Sequence, residues 1–109
     1  MSLRLGLQAE ERAANYLQDM GFRILERNFH SRFGEIDIVA QKDGVVHFIE
    51  VKMSEKYEPL ERITKKKMEK ILKTIEYYRM RRALDADFCI DALVIRKGRV
   101  ELIENISIM

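Results

Sequence analysis

The segment Glu35-Ile36-Asp37-Ile38-Val39-Ala40-Gln41-Lys42-Asp43-Gly44-Val45-Val46-His47-Phe48-Ile49-Glu50-Val51-Lys52 decides the fold. Two alternating apolar runs flank Asp43-Gly44, the strongest short-range signal for a two-residue β-hairpin. With those two residues in the turn, paired residue numbers add to 87, as in Lys42 opposite Val45. Asp37 then falls opposite Glu50, and Glu35 opposite Lys52. Directly opposed side chains in an antiparallel pair stand about 4.5–5.5 Å apart, where like charges repel. Two carboxylates so placed call for a cation or a shared proton. Oxygen ligands suit a hard divalent ion, and magnesium is commonly held by one or two carboxylates plus waters and phosphate. Lys52 projects on the face of Glu50, two residues away. The set has the chemistry of a metal-dependent phosphodiesterase. The ordinary alternative is a charged strand end with a Glu35–Lys52 ion pair, and a register shifted by one residue would separate Asp37 from Glu50.

Working outward, Leu5 to about Met20 reads as a helix closed by Gly21, and Phe22 to Phe29 as a first strand at a sheet edge. Ser31 to Gly34 turns into the hairpin. A linker through Tyr57 leads to Pro59, suited to a first helical turn, and a long helix runs to about Ala83. Phe88–Ile95 reads as a buried strand. Arg96-Lys97-Gly98-Arg99 turns into a last strand, Val100 to about Ile106. The order αβββαββ predicts an α/β (α+β) fold with a mixed central sheet flanked by helices.

The 109 residues suit one compact domain, residues 1–109, and 47% hydrophobic residues suffice for a core, which argues against wholesale disorder. Cys89 is the only cysteine, so no internal disulfide can form, in keeping with a reducing cytoplasm. No apolar run reaches the roughly 18 residues of a membrane span, and no secretory leader is evident. The expected setting is therefore soluble and cytoplasmic. Net charge is only +2, but residues 52–82 carry 11 Lys and Arg against 5 Glu, a net of +6. Such a segment is either the electrostatic footprint of phosphate-backbone binding or a solvated helix face laced with Glu–Lys pairs.

Each helix carries a charge where an apolar residue belongs. Leu3, Gly6, Leu7, Ala13, Ala14 and Leu17 cluster around Glu10 on the helical wheel, whereas Glu11 lies on the polar side. An unpaired buried carboxylate is costly, so Glu10 is expected near a metal, in an ion pair with an arginine, or in a frayed turn that reaches water. In the second helix Leu60, Thr64, Met68, Ile71, Ile75 and Tyr78 form the apolar stripe, and Lys67 falls on it. Its ammonium either snorkels outward or turns to the carboxylates or a substrate phosphate. Lys65, Lys66, Lys70 and Lys73 would be peripheral phosphate contacts. His30 and Arg32 precede the hairpin and suit backbone contact or plain solvation. His47 lies on the strand face opposite Glu50, which argues against a general-base role. Asp91 interrupts an apolar strand as a prospective ion-pair partner, Tyr77 could stack on bases, and Tyr78 has core spacing.

Asp37 with Glu50-Val51-Lys52 resembles the nuclease signature PD-(D/E)XK, found in restriction enzymes, repair nucleases and Holliday-junction resolvases. The chain is more closely similar to the bacterial YraN-like family, over nearly its whole length. Gly6, Glu10, Ala13-Ala14, Tyr16-Leu17, Gly21-Phe22, Ile24-Leu25 and Arg27-Asn28 resemble that family's opening. Gly34–Ala40, Phe48–Lys52, Ile63-Thr64 with Lys67, and Phe88–Val94 resemble the remainder. Ile36 stands where the signature has proline. The resemblance implies a restriction-endonuclease-like core and a divalent ion, Mg2+ or Mn2+. It implies Asp37, Glu50 and the Val51 carbonyl as metal ligands, and Lys52 as the group that orients the attacking water. Glu10 would complete the acidic cluster, and Lys67 matches a basic position after the motif. Together these readings point to an endonuclease acting on DNA, branched or otherwise structured, with Lys65, Lys66, Lys67, Lys70 and Arg32 as nucleic-acid contacts and a homodimer as a possible assembly. The rival readings are a nucleic-acid-binding module without catalysis, and a domain whose helix docks a protein partner.

Overall fold

The computed structural model describes residues 3–54 and 64–106. Its elements are α1 (Leu3–Asp19), β1 (Arg23–Ser31), β2 (Gly34–Lys42), β3 (Val45–Ser54), α2 (Lys65–Arg81), β4 (Asp87–Arg96) and β5 (Arg99–Ile103). The order αβββαββ is the one the sequence predicts. The five strands form one sheet in chain order, β1-β2-β3-β4-β5, so β1 lies at an edge as expected. Only β3 and β4 run parallel, joined by the crossover that contains α2; every other pair is antiparallel. The sheet is therefore mixed.

Asp43 and Gly44 both have positive φ, 52° and 79°, as the tight hairpin turn requires. The β2–β3 register follows from it, running from Lys42↔Val45 to Ile38↔Ile49. There the ladder stops, one position short of Asp37 and Glu50. β2 continues alongside β1 to Ser31↔Gly34, while β3 continues alongside β4 to Ser54↔Arg96. The two strands of the hairpin thus part in a fork. The Glu35–Lys52 pairing expected from the register does not form: Glu35 is exposed and meets His30 Nδ1 at 2.9 Å.

The sheet separates two apolar layers. On one face Ala9, Ala13, Ala14 and Leu17 of α1 pack with Phe22, Ile38, Ala40, Ile49, Leu93 and Ile95. On the other, Met68, Ile75 and Tyr78 of α2 pack with Phe29, Ile36, Val39, Val46, Phe48 and Ile90. Leu7, placed on the buried stripe by the helical wheel, is 51% exposed, whereas Ala9 is buried. At 100° per residue the stripe is centred nearer Leu17 than Glu10, so Leu7 falls beyond one margin and Ala9 falls inside the other. Glu10 remains on the stripe and is half-buried.

α2 begins at Lys65, and the expectations for Pro59 and Leu60 lie outside the described residues. Thr64 is not a stripe residue. It is the N-cap, and its hydroxyl accepts the Lys67 backbone N–H at 3.1 Å, which satisfies one of the helix's orphan donors. Tyr78 is buried, edge-on to Phe29 and Phe48, as its spacing predicts. β5 ends at Ile103, short of the predicted Ile106. Asn105 turns to φ 54°, and its backbone N–H reaches Asp91 instead of extending the ladder.

Gly34, the first residue of β2, has φ 151°, and a Cβ there would meet Thr74 Oγ1 of α2 at 3.0 Å. Thr74 is buried and hydrogen-bonded to the Lys70 carbonyl, so it cannot easily retreat. Gly34→Ala is expected to cost about 1–3 kcal/mol, through backbone strain and displacement of α2. Urea denaturation measures it; a cost below about 0.5 kcal/mol would show that α2 shifts freely.

Candidate active site at the strand fork

Where β2 and β3 part, a cavity of about 420 Å3 opens beneath α2. Asp37, Glu50 and Val51 line it from the sheet, Lys67, Lys70 and Thr74 from α2, and Phe33 from the β1–β2 turn. Asp37 Oδ2 accepts the Val51 backbone N–H at 2.8 Å, so a carboxylate takes the place of the next ladder hydrogen bond. This contact fixes the Asp37 side chain and turns it towards the strand that carries Glu50.

Burial is the largest influence on Asp37 and pushes its pKa up from 3.8 to about 6. The Val51 N–H acts in the opposite sense, and the negative charges of Glu10, Glu50 and Glu35 add to the rise. Glu10, on α1, therefore belongs electrostatically to the same end of the sheet. Glu10 Oε1 and Glu50 Oε2 are buried with no hydrogen-bond partner among the described residues. Buried carboxylate oxygens are ordinarily satisfied, because leaving one bare costs about 1–3 kcal/mol or more. The donors are hard oxygens of the kind a divalent cation takes, two of them buried without partners among the described residues, beside a carboxyl that burial and like charges oppose ionising.

Lys67 Nζ reaches Glu50 Oε1 at 3.4 Å, so the lysine on the apolar stripe turns to the carboxylates. Lys52, two residues beyond Glu50 and paired with Val94 of β4, is half-buried and makes no ion pair among the described residues. Lys70 lines the cavity, whereas Lys65 and Lys66 stand exposed at the start of α2. Arg32 is exposed on the β1–β2 turn, its guanidinium 4.9 Å from the centre of the Phe33 ring at the cavity wall. Tyr77 packs edge-on to the same ring.

The comparisons with known proteins bear on the whole chain. Residues 9–103 match the model of the family described as "Uncharacterised protein family UPF0102". The chain belongs to that family. It is 56% identical over 108 residues to a UPF0102 protein of a Nitratiruptor species, covering 99% of this chain and 96% of the relative. It is 52% identical over 102 residues to one of Helicobacter pylori, covering 94% and 90%. A third, from Wolinella succinogenes, is 49% identical over 108 residues, 99% and 100% of the two chains. The family description assigns no activity. No helix among the described residues of this UPF0102 chain is long and apolar enough to cross a membrane.

This UPF0102 fold also gathers a group that the sequence did not bring together. On the α1 face, away from the fork, His47 Nδ1 lies 2.5 Å from Asp91 Oδ2 and 3.1 Å from Cys89 Sγ. Asp91 Oδ1 accepts the Asn105 N–H at 2.9 Å and lies 3.4 Å from the thiol. Burial, and then the charge of Asp91, pushes the Cys89 thiol up to about 12, so the free thiol is protonated at neutral pH. The available signal was the parallel register, which sets His47 beside Cys89. A single sequence offers no direct way to read that pairing.

Asp37 has a pH consequence of its own. Its pKa in the folded chain lies above the unfolded value, so protonation favours the fold. Its contribution is complete below about pH 4 and is lost as pH rises through about 6. Asp37→Asn keeps an oxygen for the Val51 N–H and removes the charge. In EDTA this variant should melt at a higher temperature than wild type at pH 8 and show no gain at pH 4. An equal gain at both pH values would overturn the assignment.

Proposed function

We propose that this chain is a metal-dependent endodeoxyribonuclease of the PD-(D/E)XK type, YraN-like and restriction-endonuclease-like in its core, acting on branched or otherwise structured DNA. The observation that carries the reading is the strand fork, with Asp37 and Glu50 at one cavity, bare buried carboxylate oxygens, and Lys67 at Glu50. Neither a passive binding module nor a protein-docking domain needs buried carboxylates without partners.

Asp37, Glu50 and the Val51 carbonyl would hold Mg2+ or Mn2+, with Glu10 completing the acidic set. When bound, such an ion polarises a phosphoryl oxygen and lowers the pKa of an attacking water. The protein's own groups do the rest. The Val51 N–H holds the Asp37 carboxylate in a fixed direction. Lys67 and Lys52 supply positive charge where negative charge gathers at the phosphate in the transition state. Lys70, Lys65, Lys66 and Arg32 flank the cavity or its approaches and would hold neighbouring phosphates of the strand.

The test is a cleavage panel of linear duplex, single-stranded, flap and four-way-junction DNA with Mg2+ or Mn2+, comparing wild type with Asp37→Ala. Cleavage of the structured substrates by wild type alone is expected. Equal cleavage by both proteins would assign it to a contaminant and overturn the proposal. Salt-dependent binding that survives EDTA and Asp37→Ala, without cleavage, would favour the binding-module reading.

A further inference from the structure

We propose that His47, Cys89 and Asp91 form a second metal site, structural and of the zinc class, on the face of the sheet opposite the α2 cavity. Three donor atoms, an imidazole nitrogen, a thiol sulfur and a carboxylate oxygen, lie within 4.8 Å of one another. These are the donors that zinc prefers, and a mixed nitrogen, sulfur and oxygen set is foreign to magnesium.

The geometry separates this site from a hydrogen-bonded relay. In a nucleophile–histidine–acid relay the two ring nitrogens have different partners, the acid on one and the nucleophile on the other. Here Asp91 Oδ2 and Cys89 Sγ both approach the same nitrogen, Nδ1, at 2.5 and 3.1 Å. A single proton on that nitrogen can serve Asp91 Oδ2, and the thiol is then left to Asp91 Oδ1 at 3.4 Å. A nitrogen, a sulfur and an oxygen from three side chains brought this close can equally serve as ligands to one ion. Zinc bond lengths of about 2.0–2.3 Å in a tetrahedron set neighbouring ligand atoms about 3.3–3.6 Å apart. Admitting it requires Nδ1 to part from Oδ2 and from Sγ by less than about 1 Å each.

The surroundings fit a structural role. Asp91 is fully buried and held by the Asn105 N–H, and the edge of the Phe22–His47 ring pair fixes the imidazole plane. Cys89 is half-buried, which leaves a path from solvent. The exposed Glu104 carboxylate, whose charge bears on Cys89, or a water would complete the shell. On binding, the thiol proton leaves to solvent and the thiolate sulfur takes the metal bond. The ion would clamp the start of the parallel β3–β4 pair.

Cobalt(II) is the probe, added to the chelator-stripped 109-residue chain. One equivalent is expected to raise a thiolate-to-cobalt charge-transfer band that zinc then bleaches. Cys89→Ser, half-exposed and conservative, should lose the band and at least tenfold in Zn2+ affinity, with an unchanged circular dichroism spectrum. Glu50→Gln, which disables the fork, should keep both. No band at stoichiometric cobalt overturns the proposal. So does a band that persists in Cys89→Ser, and so does Zn2+ binding that is lost in Glu50→Gln but kept in Cys89→Ser. None of these outcomes depends on nuclease activity, so the two sites stand or fall separately.

Discussion

Glu50→Gln is expected to lower the proposed Mg2+- or Mn2+-dependent cleavage by roughly a thousandfold, while the protein stays folded. Glutamine keeps the size and an acceptor oxygen but removes the charge that would hold the ion. It also leaves Lys67, 3.4 Å from Glu50 Oε1, without its ionic partner. Half-exposed Lys67 can rotate into water, so the cost to stability should stay below about 1 kcal/mol. Single turnover on a four-way junction, with wild type purified in parallel, measures the effect. Raising the metal concentration should recover part of the activity if weakened metal binding dominates. A variant within about tenfold of wild type would remove Glu50 from the chemistry.

Asp91→Ala carries the largest expected effect on stability, about 3–5 kcal/mol. Asp91 is fully buried, and its two oxygens serve His47, Cys89 and the Asn105 N–H together. Alanine leaves a buried imidazole and a backbone donor without acceptors, and the segment after β5 is then held to β4 by the Ile106 N–H to the Ile90 carbonyl without the Asn105 bond. Such a loss is a large fraction of the 5–15 kcal/mol that holds a typical domain. Asp91→Asn, which keeps an acceptor for Asn105, should lose distinctly less. Equilibrium urea unfolding in EDTA separates this from any contribution of bound metal. A cost below about 1 kcal/mol for the alanine variant would show that the hydrogen bonds of Asp91 add little.

The fold was legible where local chemistry dictates it. Asp43-Gly44 specified the turn and thereby the register to Ile38↔Ile49. Gly21 ended α1, and Lys97-Gly98 turned β4 into β5, both with positive φ. The register did not reveal its own limit, because the parting of β2 from β3 depends on β1 and β4 drawing the strands apart. Thr64 was misread because an apolar stripe and an N-cap can both use threonine, and only the start of the helix tells them apart. Glu10 and Lys67 were legible as charges on apolar faces. The partner of Asp91 was not, since it comes from another strand through a parallel pairing across 44 residues.

A sheet whose spatial order repeats its chain order also dictates an order of assembly. β1, β2 and β3 are linked by two-residue turns, so their pairing closes short loops and forms quickly. β3 and β4 join only after the long crossover closes, a slower step in which distant segments must meet. Asp37 and Glu50 belong to the early meander, so the two carboxylates meet before α2 settles over them. The lysine that faces them, and the cysteine and aspartate that complete the histidine cluster, arrive with the late half of the chain. The acidic pair thus has only the Val51 N–H to steady it in the early meander, and the positive charge of Lys67 reaches it with the docking of α2.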